Sequence, residues 1–296
     1  MPVWIRHATV AFAVLFPAAL PAQSALQQEI AAIARDARGK VSVACSLPGT
    51  ELPCDFNSHA HPPMQSVFKF PLAITVLHLV ERGDISLDES LRFGAADRLP
   101  GIWSPLQDEY PQAGVDVAIR RLLALAMEQS DNIAADLLLR RIGGPAVADG
   151  YIKSLGIAGF HLADGEEGLH RDATAQYRNW MEPAAAVQLL RLISDHPPIS
   201  PEHTAMVLNW MGHARRGSGR IKGQLPAGTM VMHKPGSSAT VKGLTAATND
   251  IGLVVLPDGR RLAIAVFLTD STAGDAARDA VIAGISKAIF DAATAR

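Results

Sequence analysis

Two changes of hydrophobic period divide this chain, and they restrict its fold more than any single motif. After an amphipathic segment, "LQQEIAAIARDARG", that ends in a glycine stop, "KVSVACSL" alternates as a strand. From Ser66 to about Asp195 the apolar spacing is helical, interrupted at "RGDISL", "LPGIWSP", "RIGGP" and "SLGIAGF". Strand character then returns in "TMVMHKPGSS", "AATNDIGLVVLP" and "RRLAIAVFLTDS", with "PDGR" turning the last two into a hairpin. "GDAARDAVIAGISKAIFDAATA" closes as a helix. The chain therefore leaves a sheet layer, builds a helical block and comes back to complete the sheet. We expect an α/β (α+β) fold: an antiparallel sheet flanked by helices with an inserted all-helical subdomain. The expected division is 23–60 with 213–296 for the α/β part and 61–212 for the helical part, with a cleft between them. Such clefts host chemistry.

At 296 residues and 48% apolar, the chain can bury a sizeable core. Lys plus Arg total 27 against 29 Asp plus Glu, a net charge of -2, without a long run of either sign. Nucleic acid and an anionic membrane are thus not expected partners. The first residues, "MPVWIRHATVAFAVLFPAALPAQ", set one arginine before an uncharged stretch from Ala8 to Leu20 and small residues near Ala22. This pattern reads as a secretory signal over 1–22, because the apolar stretch is shorter than the ~20 residues that span a bilayer. Export to the periplasm and no stable membrane association after signal removal are expected, with a monomeric product.

Export decides how Cys45 and Cys54 are read. In an oxidising compartment they can pair across "SLPGTELP", whose Pro and Gly favour a turn; the alternative is two free thiols in neighbouring strands. A loop this small contributes roughly 2 to 3 kcal/mol in the chain-entropy model. Neither cysteine has a histidine at metal-site spacing, and the ten histidines form no HExxH arrangement, so no metal and no cofactor are expected.

Ser66 stands three residues before Lys69 at the start of "SVFKFPLAITVLHLV". Residues three apart share a helix face, so the amine reaches the hydroxyl. A helix start adds unpaired N–H groups and the positive dipole end, which favour developing negative charge. Burial among apolar side chains such as Phe68, Phe70 and Leu72 in general favours the neutral, basic form of an amine. The bland alternative is a serine cap, since S-x-x-K is common by chance. In "MEQSDNIAADLLLRRIGG", Ser130, Asp131 and Asn132 separate two helical runs. Each could cap the helix that ends at Gly143 and Gly144, while Ser130 could relay a proton and Asn132 donate to a substrate amide. In "VMHKPGSSAT", Lys234 reads either as a solvated edge residue or as a site cation, and Gly236 as a point of close ligand approach. The N–H groups of Ser66 and Ser237 would then form an oxyanion hole.

S-x-x-K, S-D-N and K-x-G in this order resemble the serine β-lactamase and penicillin-binding protein superfamily. Their separations resemble class A β-lactamases over nearly the whole chain. A lactamase differs from a transpeptidase in hydrolysing its acyl-enzyme, which needs a base to activate water. Glu166, with Leu169 and His170, resembles the family's E-x-x-L-N motif, with His170 in place of asparagine; neighbouring Glu167 is a competing carboxylate. "QYRNW" that follows is similar to the extended-spectrum PER and VEB subgroup. The resemblance implies hydrolysis of the β-lactam amide of penicillins and cephalosporins: Ser66 as nucleophile, Lys69 or Glu166 as acylation base, Ser130 as proton relay, Glu166 as deacylation base. Asn132, Lys234, Gly236, Ser237, Trp103, His170 and Arg220 would bind substrate.

Two departures stand out. The positions of the family's Arg–Asp pair that closes the Glu166 loop hold Asp164 and Asn179, so closure must use other contacts. Pro235 stands where the family has Thr or Ser, which removes a hydroxyl expected at the substrate carboxylate and a backbone N–H. Ser237, Ser238 and Arg220 are the candidates to compensate, Arg220 being otherwise an exposed charge and Trp103 otherwise a core residue. The alternatives implied by Pro235 are a D-alanyl-D-alanine carboxypeptidase-like serine hydrolase and an exported sensor that acylates and stalls.

Overall fold

The computed structural model describes residues 24–171 and 174–295, together with residues 1 and 3. The segment read as a signal lies, save residues 1 and 3, outside the described residues. Helix α1, Ala25–Ala34, starts at Ser24, whose side chain and Gln27 form a capping box. Its stop is not the expected glycine. A 3₁₀ turn, Arg35–Ala37, ends with Arg38 in the left-handed region at φ 46°. Gly39 is required for a different reason, since a Cβ there would lie 2.7 Å from the Thr269 carbonyl oxygen.

Strand β1, Lys40–Ser46, carries Cys45, and the disulfide to Cys54 is formed, with Cα atoms 6.1 Å apart. The chain next enters the helical region through α2, Lys69–Glu81, which is buried on every side from Lys69 to Leu77 and forms its axis. Around it come β2 (Ser90–Phe93), α3 (Pro105–Glu109), β3 (Val115–Ala118), α4 (Ile119–Glu128), α5 (Asn132–Ile142) and α6 (Pro145–Ser154). They are followed by β4 (Phe160–His161), α7 (Glu166–Leu169), β5 (Trp180–Met181), α8 (Pro183–Asp195) and α9 (Pro201–Gly212). The region read as wholly helical thus holds two small antiparallel pairs, β2 with β3 and β4 with β5. These strands are two to four residues long, too short for a period of two to show in the sequence.

The chain then returns to the sheet through β6 (Val231–Ser237), β7 (Thr240–Val241), β8 (Leu244–Val255) and β9 (Arg261–Ser271), and ends in α10, Asp275–Thr294. The five strands run β1-β9-β8-β6 with β7 on β8, all antiparallel, and Val255 faces Arg261 at the β8–β9 hairpin. Both faces of this sheet are covered. Along β9, Leu262, Ile264, Val266 and Leu268 join the core under α1 and α10, whereas Ala263, Ala265 and Phe267 join the core of the helical block. Continuous apolar character in "RRLAIAVFLTDS" is therefore the signature of a strand sandwiched between helical layers. β6 is an edge strand, and this edge faces the turn that precedes α2.

Candidate active site

The turn before α2 is held from both sides. The Asn249 side-chain amide, on β8, donates to the Pro63 and Met64 carbonyls at 2.8 and 3.3 Å, and the Met64 N–H donates to the Asn179 carbonyl at 3.0 Å. Gln65 turns left-handed at φ 49°, and a 3₁₀ turn, Gln65–Phe68, leads into α2. Ser66 consequently sits on a 3₁₀ turn rather than on the α-helix itself. Side chains three apart nearly eclipse in that geometry. The Lys69 amine donates to Ser66 Oγ at 3.0 Å.

Lys69 is completely buried, and its Nζ also lies 2.9 Å from the Ser130 carbonyl, 2.5 Å from Asn132 Oδ1 and 2.7 Å from Glu166 Oε1. Glu166 is 2% exposed, and Ser66 Oγ donates to its Oε1 at 3.3 Å. Ser130 lies in the bend between α4 and α5 at φ 58°, a conformation uncommon for a serine and of the kind that concentrates at functional sites. Its carbonyl accepts from Lys69, and its hydroxyl accepts from Lys234 Nζ at 2.9 Å. Asp131 takes the cap position of α5: its carboxylate accepts from Ala134 N, Leu106 N and Ser104 Oγ at 2.6 to 2.9 Å. Burial still pushes that carboxyl above its ordinary range.

Lys234 is not the solvated edge residue that a lysine on an edge strand suggests; it is fully buried. Burial, and after it the charge of Lys69, push its ammonium well below the ordinary lysine range. Gly236 is explained by packing against protein, where ligand approach was expected. A Cβ there would lie 2.6 Å from the Met64 carbonyl and 3.2 Å from Val67 N, so the glycine lets β6 touch the Ser66 turn.

The Glu166 loop is anchored to α5. Asp136 Oδ1 and Oδ2 accept from the Glu166 and Glu167 N–H groups at 2.7 and 2.8 Å, which caps the single-turn helix α7. Burial first, and the Glu166 charge second, raise the Asp136 carboxyl to about 6. The neck of the loop is closed by Asn179, which accepts from Ala163 N and Asp164 N and donates to the Asp164 carbonyl, at 2.8 to 3.0 Å. An Arg–Asp pair exists after all, displaced by one residue: Arg178 grips Asp164 through two hydrogen bonds of 2.7 and 3.1 Å. His170 lies one turn after Glu166 and its Nδ1 bonds the Glu166 carbonyl at 2.7 Å.

A cavity of about 570 Å³ runs along β6 and is lined by Ser66, Trp103, Ser130, Asn132, Arg220, Pro235, Gly236 and Ser237. A contiguous recess adds Glu166, Leu169 and His170. Of the sequence-derived site residues, all but Lys69, Lys234 and the disulfide pair Cys45 and Cys54 line these two cavities; the two lysines lie buried behind the wall, bonded to Ser66 and Ser130. Trp103 stands 47% exposed at the rim with its Nε1–H on the Gln129 carbonyl, which removes the core alternative. Arg220 is 9% exposed, bonded to Asp279, to the Gly236 and Asn249 carbonyls and to Ser237 Oγ. It is a built-in part of the wall, not the surface charge its surroundings in sequence allowed. The Ser238 hydroxyl is bonded to the Ala247 backbone and adds no free group. Sequence reasoning missed Asp136, although its place four residues after Asn132 on one helix face was a usable signal, and did not single out Arg216, which lines the cavity.

A serine hydroxyl touching a buried lysine and a buried carboxylate, and a second serine tied to a second buried lysine, occupy the cleft between an antiparallel sheet and a helical block. This is the architecture of the serine β-lactamase and penicillin-binding protein superfamily. The profile of the Beta-lactamase enzyme family matches residues 25–293. The chain is 37% identical to the extended-spectrum β-lactamase PER-1 of Pseudomonas aeruginosa over 90% of its own length and 86% of that protein. It is 35% identical to β-lactamase VEB-1 of the same organism over 78% of each chain. The crystal structure of a β-lactamase from Chitinophaga pinensis superposes with a TM-score of 0.87 at 41% identity, covering 91% of this chain and all of that one. The chain belongs to the β-lactamase enzyme family, and within it to class A.

Proposed function

We propose that the enzyme hydrolyses the β-lactam amide of penicillins and cephalosporins through an acyl-enzyme on Ser66, released by water that Glu166 activates. The observation that carries this reading is the contact triangle of Ser66 Oγ, Lys69 Nζ and Glu166 Oε1, with sides of 3.0, 2.7 and 3.3 Å. Four acceptors surround Lys69 Nζ, the Ser130 carbonyl, Asn132 Oδ1, the Glu166 carboxylate and Ser66 Oγ, one more than the three N–H donors of an ammonium, so one N–H is shared. Lys69 then organises the resting site. The Ser66 hydroxyl directs its own proton at Glu166, which makes that carboxylate the acylation base.

Ser66 attacks the lactam carbonyl while the N–H groups of Ser66 and Ser237 hold the oxyanion. Ser130, whose hydroxyl Lys234 holds, protonates the leaving nitrogen, and the proton that Glu166 took from Ser66 passes through Lys69 to replace it, which returns Glu166 to a carboxylate. With Asn132 Oδ1 bound to Lys69, its Nδ2 is the donor for the substrate amide. Glu166 next deprotonates water, which attacks the ester carbonyl, and Ser66 leaves with the returned proton. His170 supports the Glu166 turn, and Trp103 and Arg220 shape the binding walls. We place the helical part at 61–212 and the sheet part at 23–60 with 213–296, with catalysis between them. Residues 1–22 serve as an export signal and the monomeric product works in the periplasm; no helix among the described residues is long and apolar enough to cross a membrane.

Burst and steady-state kinetics with a chromogenic cephalosporin test the reading. Sustained turnover is expected, lost in Ser66→Ala, and Glu166→Ala is expected to accumulate a covalent adduct of substrate mass on Ser66. A single stoichiometric burst from the unmutated protein refutes the lactamase reading and supports the sensor instead.

A further inference from the structure

We propose that Arg216 recognises the carboxylate of the β-lactam substrate, in place of the hydroxyl that Pro235 removes; this rests on the function proposed above. The other cations on the β6 wall, Lys234 and Arg220, are largely committed, and Ser237 offers only a neutral hydroxyl that already accepts from Arg220. Lys234 is buried and directs two of its donors to Ser130 Oγ and the Pro235 carbonyl, at 2.9 and 3.2 Å. Arg220 directs Nε to Asp279, Nη1 to the Gly236 and Asn249 carbonyls and Nη2 to Ser237 Oγ, all within 3.1 Å. Only one of its five N–H groups remains, and no two-pronged grip on a carboxylate is left.

Arg216 differs on each point. It is exposed, lines the same cavity as Ser66 and Ser130, and has no carboxylate within ion-pair distance among the described residues. The acids of that wall are taken, Asp275 by Arg278 and Asp279 by Arg220. The guanidinium carbon of Arg216 lies over the Trp103 ring, 4.5 Å from its centroid. A cation–π contact of this kind uses none of the guanidinium N–H groups as hydrogen-bond donors to an oxygen, which leaves them for a carboxylate.

Pro235 also helps to place it. Gly217, the next residue, is left-handed at φ 72°, and a Cβ there would lie 2.9 Å from Pro235 Cβ and 3.1 Å from its Cγ. The proline ring therefore packs directly against the Gly217 backbone and sets how closely the Arg216 loop approaches β6. The residue that deletes the family hydroxyl props up the loop that presents the arginine.

The test compares a cephalosporin bearing its free carboxylate with the methyl ester of the same compound. The unmutated enzyme is expected to prefer the acid. In Arg216→Gln, kcat/KM for the acid falls by about 10- to 100-fold, mainly through KM, as expected for one lost charge-assisted contact. The ester changes little, so the acid-to-ester ratio collapses; Arg216→Lys, which keeps the charge without the fork, gives an intermediate ratio. A retained ratio in Arg216→Gln, or equal losses for acid and ester, overturns the proposal. Failure of the underlying lactamase reading looks different, since the unmutated protein would then turn over neither compound.

Discussion

Asp136→Asn tests how the Glu166 loop is held, and its effect depends on pH. The carboxylate of Asp136 uses both oxygens as acceptors, one for the Glu166 N–H and one for the Glu167 N–H. Gly165 permits this contact, because a Cβ there would lie 2.4 Å from Asp136 Oδ1. Asparagine offers one acceptor oxygen and turns two further donors toward backbone N–H groups that are donors themselves, so one cap bond is lost, at a cost of about 1 to 3 kcal/mol. Against that loss stands relief of a charge held close to Glu166. The fold raises the Asp136 carboxyl from 3.8 to about 6, so the folded state binds this proton more tightly than the unfolded chain. Its contribution to stability is therefore fully present below pH 3.8 and disappears as pH rises through about 6, a change of up to about 3 kcal/mol. The variant lacks this slope. Its stability relative to the parent should improve on going from pH 4 to pH 7.5, by an amount equivalent to ~4 to 5 °C in Tm for a chain of this size. Paired thermal or urea melts at both pH values read that difference directly, and titrating groups away from the Asp136–Glu166 pair cancel in the comparison. A Tm difference that stays constant across the range refutes the account of Asp136 as a carboxylate titrating near neutrality. The same variant should slow release of the acyl-enzyme, since the lost bond anchors the base.

Two further outcomes follow from buried contacts. Asp250, on β8, is fully buried, bonds His233 Nδ1 at 2.8 Å and accepts from Ile221 N, the residue after Arg220. Asp250→Ala strands these partners and should cost about 3 to 5 kcal/mol by urea denaturation, and a loss under about 1 kcal/mol would show that the pair is not integral to the fold. Gly236→Ala drives a Cβ to 2.6 Å from the Met64 carbonyl and pushes β6 off the Ser66 turn. We expect about 1 to 3 kcal/mol of overpacking destabilisation and roughly a hundredfold loss of kcat/KM; an unchanged kcat/KM would show that the turn tolerates the displacement.

Much of the fold was legible because its largest elements report their own surroundings. The helix buried on all sides, α2, and the strand covered on both faces, β9, have no polar stripe, and their length and flanking turns identify them. The nucleophile and its lysine were legible for a local reason: three residues of a single turn settle whether Ser66 and Lys69 can meet. What escaped depends on contacts distant in sequence. That Gly236 serves the Met64 carbonyl, that Arg220 is locked inside the wall and that Asp136 caps α7 follow only from the juxtaposition of segments 16 to 172 residues apart. The closing pair of the Glu166 loop shows the limit most clearly. Positions 164 and 179 suggested that the Arg–Asp pair was gone, yet Arg178 reaches the same aspartate while Asn179 binds the backbone on either side of it. A long arginine on a turn can approach its partner from a neighbouring residue, so the chemistry is kept although the alignment position is not. Pro235 and Arg216 pose the same question in the binding cleft. A hydroxyl absent from the K-x-G strand need not leave the substrate carboxylate unbound when an arginine from the facing loop presents its donors to the same cavity.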